Sequence, residues 1–272
     1  MQRLYNLSDD QTEYQINDRM SFMRFLGINL CEKVPDAKTI WKFKNDLAET
    51  VDKLFCMFDE HLEKEGLISH KGTIVDATFV DAPRQRNSRD ENKKIKNGVI
   101  PEEWEKPENK SKLAQKDTDA DWTKKNGERH FGYKDHVKCD ADSKLITNYS
   151  VTSASVHDSQ RCLVFIGQED EVLYADSAYS GKPIALALPE NCKNQICEKG
   201  YRNSPLTSEQ KMNNRRKSRI RCRIEQIFGF MTGAMHGITI RSIGITRAWM
   251  NIGITNLVYN FCRYSYLKRA SA

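Results

Sequence analysis

The sequence predicts an α/β or α+β core, preceded by a helical region and interrupted by a charged insertion. Three observations predict it. Apolar residues recur at helical spacing through the first 65 positions. Further on, short runs rich in β-branched residues, bounded by turn formers, alternate with helical stretches. Between the first such run and the rest lies residues 84–129, where 13 Lys/Arg and 10 Asp/Glu fall within 46 residues and aliphatics are few. At 272 residues the chain has room for one large domain or two small ones.

Ser8 is placed to cap a first helix, with Gln11 three residues on to complete a capping box. Phe22, Phe25 and Leu26 follow at helical spacing. After a break at Pro35, the apolar set Trp41, Leu47, Val51, Leu54, Phe55 and Phe58 predicts a second amphipathic helix. Residues 72–80, GTIVDATFV, read as a strand. The charged segment that follows reads as an insertion or mobile loop outside the core. Residues 131–140 and 145–153 form a hairpin around the turn 140–143. A short helix spans 159–166, opened by Asp158 as N-cap. Residues 171–176 have the signature of a buried strand, 183–188 of a helix, and 194–197 of a short strand. Residues 218–231 are helical, with Ile220, Ile224, Ile227, Phe228 and Met231 on one face. A long C-terminal helix covers 245–267 and packs through Trp249, Ile252, Leu257, Val258 and Phe261.

Hydrophobic residues make up 39% and charged residues 29% of the chain, a balance that suits a soluble globular protein and excludes a wholly disordered one. No run approaches the roughly 18 consecutive apolar residues of a membrane span, so no membrane partner is expected. The eight cysteines are scattered without any C-x-x-C pair, which argues against structural zinc and fits reduced thiols in the cytoplasm. The net charge of +6 is unevenly placed. From Lys199 to Ile224 nine basic residues face one acid, Glu209, giving +8 and leaving the remainder at −2. Such a stretch is an electrostatic footprint for phosphate. A solvated helix face is the commoner fate of a charge run, but here the i,i+4 acids that would pair it are missing.

Three acids stand out. Asp76 sits mid-strand between Val75 and Ala77, where an unpaired carboxylate carries a desolvation cost. Asp176 ends an apolar strand and opens a loop, the position where ligand sites collect in α/β sheets. Glu225 lies beside the core residue Ile224 with Arg221 four residues before it. Converging from two strands and a helix, they would make an oxygen-only site suited to Mg²⁺ or Mn²⁺. Two such ions support in-line phosphoryl transfer. Singly, each acid has an ordinary structural reading: Asp176 as a helix cap, Asp76 as a hydrogen-bond acceptor, Glu225 as the salt-bridge partner of Arg221. His157 is a weaker candidate near the same edge. No G-x-S-x-G elbow and no phosphate-binding G-x-x-x-x-G-K-[ST] occurs.

These segments resemble the DDE transposases of bacterial insertion sequences, in the group that includes the insertion-sequence-five type. The resemblance is carried by 4–9 with 18–27, by 34–40, by Ile74-Val75-Asp76-Ala77-Thr78, by Tyr174-Ala175-Asp176-Ser177-Ala178-Tyr179, and by the RCRIEQIFG run at 221–229. It implies a ribonuclease H-like catalytic core at 70–272 and a helical region at 1–65 for DNA-end binding or dimer contacts. It implies Asp76, Asp176 and Glu225 as catalytic residues holding two Mg²⁺ or Mn²⁺ ions. Lys211, Arg215, Arg216, Lys217, Arg219, Arg221 and Arg223 would bind DNA. The implied partners are double-stranded DNA, as inverted repeats and target, and a second copy of the chain on paired ends. The implied location is the cytoplasm, at the nucleoid. Two positions depart from the family pattern: Ser218 stands where a Tyr is common and Thr232 where a Lys is common. The opening residues resemble the middle of a family helix, so the chain is expected to begin short of the usual N-terminus. The alternative reading is a catalytically impaired remnant that occupies the repeats and represses transposition. A structure-selective nuclease on the same fold is a third.

Overall fold

The computed structural model describes residues 1–125 and 127–270. The N-terminal region is helical: α1 (Asp9–Asp18), α2 (Met20–Leu26), α3 (Ala37–Leu47) and α4 (Val51–Lys64). Ser8 and Gln11 form the expected capping box on α1. The single second helix is instead α3 and α4, separated at Ala48–Thr50. Half of the predicted apolar stripe faces outward: Phe25 is 74% exposed and Trp41 55%, while Phe22, Val51 and Phe55 are buried.

Strand β1 (Thr73–Asp81) follows, then the charged insertion. The insertion is not a structureless loop. It holds α5 (Arg89–Lys96), α6 (Glu102–Glu105), α7 (Lys110–Ala114) and β2 (Asp121–Lys125). Its few apolar residues are spent on one small core. Trp104 is fully buried, donates from Nε1 to Glu91 at 2.7 Å, and lies under the ammonium groups of Lys112 and Lys116. Two acids bind the insertion to the main body. Asp117 accepts from the Tyr133 hydroxyl at 2.7 Å, and Asp119 accepts from the Ile245 amide at 2.8 Å.

The remaining elements are β3 (Glu128–Asp140), β4 (Ile146–Ser153), α8 (Ser159–Phe165), β5 (Val172–Tyr174), α9 (Lys182–Ala187), β6 (Lys193–Asn194), α10 (Ser208–Arg221), α11 (Arg223–Thr232) and α12 (Ile245–Ala270). Strand β1 pairs antiparallel with β3 and parallel with β5; β3 pairs antiparallel with β4 and β2, and β5 parallel with β6. The layout β4-β3-β1-β5-β6, with β2 paired to the first residues of β3 ahead of β4, is a ribonuclease H-like sheet. It confirms the expected mixed α/β architecture.

Each face of the sheet is covered. Ile74 and Val80 of β1 pack with Ile224, Ile227 and Met231 of α11 and with Ile252 of α12. Val75, on the opposite side by strand alternation, packs with Cys162, Phe165 and Ile184. The helix predicted at 218–231 begins earlier and is broken at Cys222. There the ladder tightens, because Glu225 donates to the Cys222 carbonyl three residues back. On α12, Ile252 and Leu257 are buried as expected, but Phe261 is 47% exposed. Asp158 does not cap α8 through its side chain; it pairs with Lys134 at 2.7 Å.

Candidate active site

Strand alternation places Asp76 with Ile74 and Thr78, on the face that α11 covers. Asp76 stands opposite Val137 of β3, and its strand neighbour β5 leads directly to Asp176. This parallel pairing sets the start of β1, two residues before Asp76, against the C-terminal end of β5, two residues before Asp176.

The side chains are held unevenly. Asp76 Oδ1 accepts from the adjacent Ala77 amide at 2.8 Å, and Oδ2 accepts from Arg221 Nη1 at 2.9 Å. Arg221 Nη2 donates to Glu225 Oε1 at 2.7 Å. One guanidinium therefore joins the β1 acid to the α11 acid across the helix break. Asp176 opens a 3₁₀ turn at Ser177–Tyr179, where Oδ1 accepts from the Ala178 amide at 2.6 Å. The capping and salt-bridge readings are thus realised, and they coexist with a shared edge.

Burial raises the Asp76 carboxyl to about 6, and the nearby Asp176 charge pushes in the same direction. The Ala77 amide, Arg221 and Lys125 oppose that rise. Burial works against the Arg221 charge, yet Asp76, Glu225 and Asp176 together raise its pKa. Lys125 was not singled out from the sequence. It lies in the charged insertion, and only the β2–β3 pairing carries it toward Asp76.

The donor set is three carboxylates without His or Cys, which fits a hard divalent cation. Asp176 lies near enough to Asp76 for its charge to add to the raised Asp76 pKa, and Arg221 pairs with Asp76 and Glu225. Among the described residues, no three His, Cys, Asp or Glu side chains stand as a group that could hold a metal ion. His157 hydrogen-bonds Ser159 at 2.8 Å, and no contact joins it to the three acids.

The basic residues of α10 and α11 divide into two sets. Lys217 donates to the Ile196 carbonyl, and Arg223 to the Ala141 carbonyl and Asp142. Lys211, Arg215, Arg216 and Arg219 are exposed and make no ion pair among the described residues. The two positions that depart from the family pattern turn to the protein. Ser218 Oγ lies 3.8 Å from Cys197 Sγ, and the Thr232 hydroxyl donates to the Phe228 carbonyl.

A ribonuclease H-like sheet, with carboxylates on β1 and beyond β5 and a basic helix leading into that edge, defines the class of protein. Comparison with known families makes it particular. Residues 68–261 match the family described as "Transposase DDE domain", and residues 1–46 match "Transposase domain (DUF772)". The chain belongs to the DDE transposases of insertion sequences, which act on DNA and generally use divalent metal ions. No solved structure matches it. No helix among the described residues is long and apolar enough to cross a membrane.

Proposed function

We propose that this protein, a transposase of the insertion-sequence-five type, binds the terminal inverted repeats of its element, cleaves DNA strands there and joins them to target DNA. The observation that carries the reading is Arg221: it ends the basic helix and bonds both Asp76 and Glu225. The grip on phosphate and the acids of the reaction are thereby one continuous structure.

Asp76, Asp176 and Glu225 would hold two Mg²⁺ or Mn²⁺ ions. Held there, divalent ions would supply Lewis-acid activation of a water or 3′-hydroxyl and charge stabilisation of the leaving oxygen. The chain's own groups do the rest. The Ala77 amide fixes one Asp76 oxygen, with Arg221 on the other, and the Ala178 amide fixes one Asp176 oxygen, so both carboxylates are held at a set angle. Arg221 orients Asp76 and Glu225 and offers its guanidinium to a phosphate when DNA arrives. Lys211, Arg215, Arg216 and Arg219 hold the backbone. Water and the freed 3′-hydroxyl serve as nucleophiles, so no side chain becomes covalently attached. Residues 1–65 would recognise the ends or pair two copies, and 70–272 would carry the chemistry. The protein would work at the nucleoid as a homodimer on paired ends.

The test is metal-dependent nicking of DNA that carries an element end. Cleavage by Asp76→Ala at the unaltered rate would end the assignment. A second reading, a repressor that occupies the repeats without cutting, is favoured by Ser218 and Thr232, whose hydroxyls are engaged with the protein. Binding with no cleavage under any divalent ion would select it.

A further inference from the structure

Away from the acids, α1, α3, the stretch at 239–243 and α12 line a cleft of about 770 Å³. That lies within the roughly 300–1,000 Å³ of small-molecule sites. Part of the lining is apolar: Trp41 and Phe43 of α3, and Met250, Ile254 and Phe261 of α12. Three guanidinium groups, of Arg3, Arg241 and Arg247, line it as well; Arg247 donates to Asn45 Oδ1 at 3.0 Å and to the Ile243 carbonyl at 3.2 Å, and the other two form the candidate anion site.

These cations lack the partners that such groups ordinarily have. Arg3 is only 9% exposed; its Nε donates to Thr255 Oγ1 at 2.6 Å, and its Nη2 has no partner. Arg241 donates to the side-chain and main-chain oxygens of Asn6, each at 3.2 Å. Every one of those acceptors is neutral. The two charges are near enough for Arg241 to disfavour the charged form of Arg3. The lining acid Asp9 is engaged by Lys44 at 2.5 Å and Gln2 at 2.6 Å, and Asp10 lies exposed in the first turn of α1. A buried cation is normally paired, because an uncompensated charge in a poorly solvated place is costly. Two adjacent guanidinium groups with neutral partners only, at an apolar cleft, are complementary to one anion with an apolar body.

We propose that this cleft binds a small amphipathic carboxylate. Its carboxylate bonds Arg3 and Arg241, in the bidentate manner that suits guanidinium groups. Its apolar body lies along Trp41 and the α12 side chains. Duplex DNA is a poor fit, since a polyanionic rod has no apolar body to fill that wall.

The experiment uses the full chain and a pair of probes, dodecanoate below its micelle concentration and the uncharged dodecanol. Binding is followed by Trp41 fluorescence and by the thermal midpoint. Dodecanoate is expected to saturate, to raise the midpoint, and to bind at least tenfold more tightly than dodecanol, the worth of about one charge-assisted hydrogen bond. Arg241→Gln, at an exposed position, should lose about tenfold in dodecanoate affinity and leave dodecanol unchanged. Arg3→Gln, checked for folding by circular dichroism, should lose more. Trp41→Phe should abolish the fluorescence response and keep the thermal shift. Equal affinity for the two probes, a lowered midpoint, no saturation, or an unaffected Arg241→Gln would each overturn the proposal.

Discussion

The turn at 140–143 and the edge that bears Asp76 hold their acids in opposite ways. Asp140 accepts from the Ser69 amide and hydroxyl, from the Asp142 and Ser143 amides and from the Ser143 hydroxyl. Nearly all its lone pairs are committed to neutral donors close at hand. Asp76 and Asp176 have one amide each, and Glu225 is 58% exposed at its side chain; a single arginine joins two of the three. A carboxylate surrounded by donors is a fastener. Carboxylates that repel one another and share one cation retain unspent capacity to bind. The difference separates structural acids from candidate reactive ones without reference to sequence position.

The sharpest way to break this comparison is to remove one acid of each kind. Asp76→Ala should lower nicking of end-containing DNA on the order of 10³-fold or more while the protein still unfolds cooperatively in urea. Asp140→Ala should do the reverse. It strands several buried donors, so it should cost about 3 kcal/mol of stability with nicking per folded molecule retained. If urea titrations found both variants equally destabilised, the distinction would collapse.

A third acid tests the limit of the idea. Asp135 on β3 is fully buried, accepts from Asn256 at 3.2 Å, and burial raises its carboxyl to about 8. Its Oδ2 and the Asn256 Oδ1 are both buried without a partner, the pattern a protonated carboxyl would resolve. The unfolded chain releases this proton near pH 3.9, so between about 4 and 8 the native state binds more protons. Stability from this group is therefore complete below 4, falls as pH rises, and levels off above 8. Asp135→Asn should gain stability relative to the unaltered protein as pH goes from 5 to 9, by on the order of 4 kcal/mol, about three pH units at ~1.36 kcal/mol each. Parallel pH profiles for the two proteins would refute it.

The smallest effect concerns the basic residues, which divide along the same line. Arg216→Ala should reduce the slope of log K against log salt by about 0.9, the loss of one phosphate contact. Lys217→Ala, whose ammonium is already held by the Ile196 carbonyl, should change the slope less. An identical reduction for both, by fluorescence anisotropy on element-end DNA, would show that internal bonding does not withhold a cation from DNA.

Much of this was legible in the sequence because it is local. Ser8 with Gln11, the β-branched run around Asp76 and the apolar face of 220–231 are read from neighbours within a few residues. The strand ending near Asp176 was legible for the same reason. What escaped depends on distant partners. The insertion hides a buried Trp104 because one small cluster can order a segment whose composition reads as solvated. Lys125 reaches Asp76 only through strand pairing. The break at Cys222 leaves no compositional mark, and Trp41 at the right spacing still faces outward because α3 ends where the predicted helix continues.

The pairing of β1 with β3 carries a kinetic consequence. Val80 must find Tyr133 and Asp81 must find Gly132 across the whole charged insertion. Loop closure over such a span delays the central ladder, since its entropy is lost before any pair is formed. A chain in which 84–129 is replaced by a tight turn halves the closure length several times over, and each halving returns about 0.6 kcal/mol. Its refolding limb should therefore rise faster than its unfolding limb falls. The insertion would then be the slow step that the sheet waits for, a timing element laid into the topology between two strands that touch.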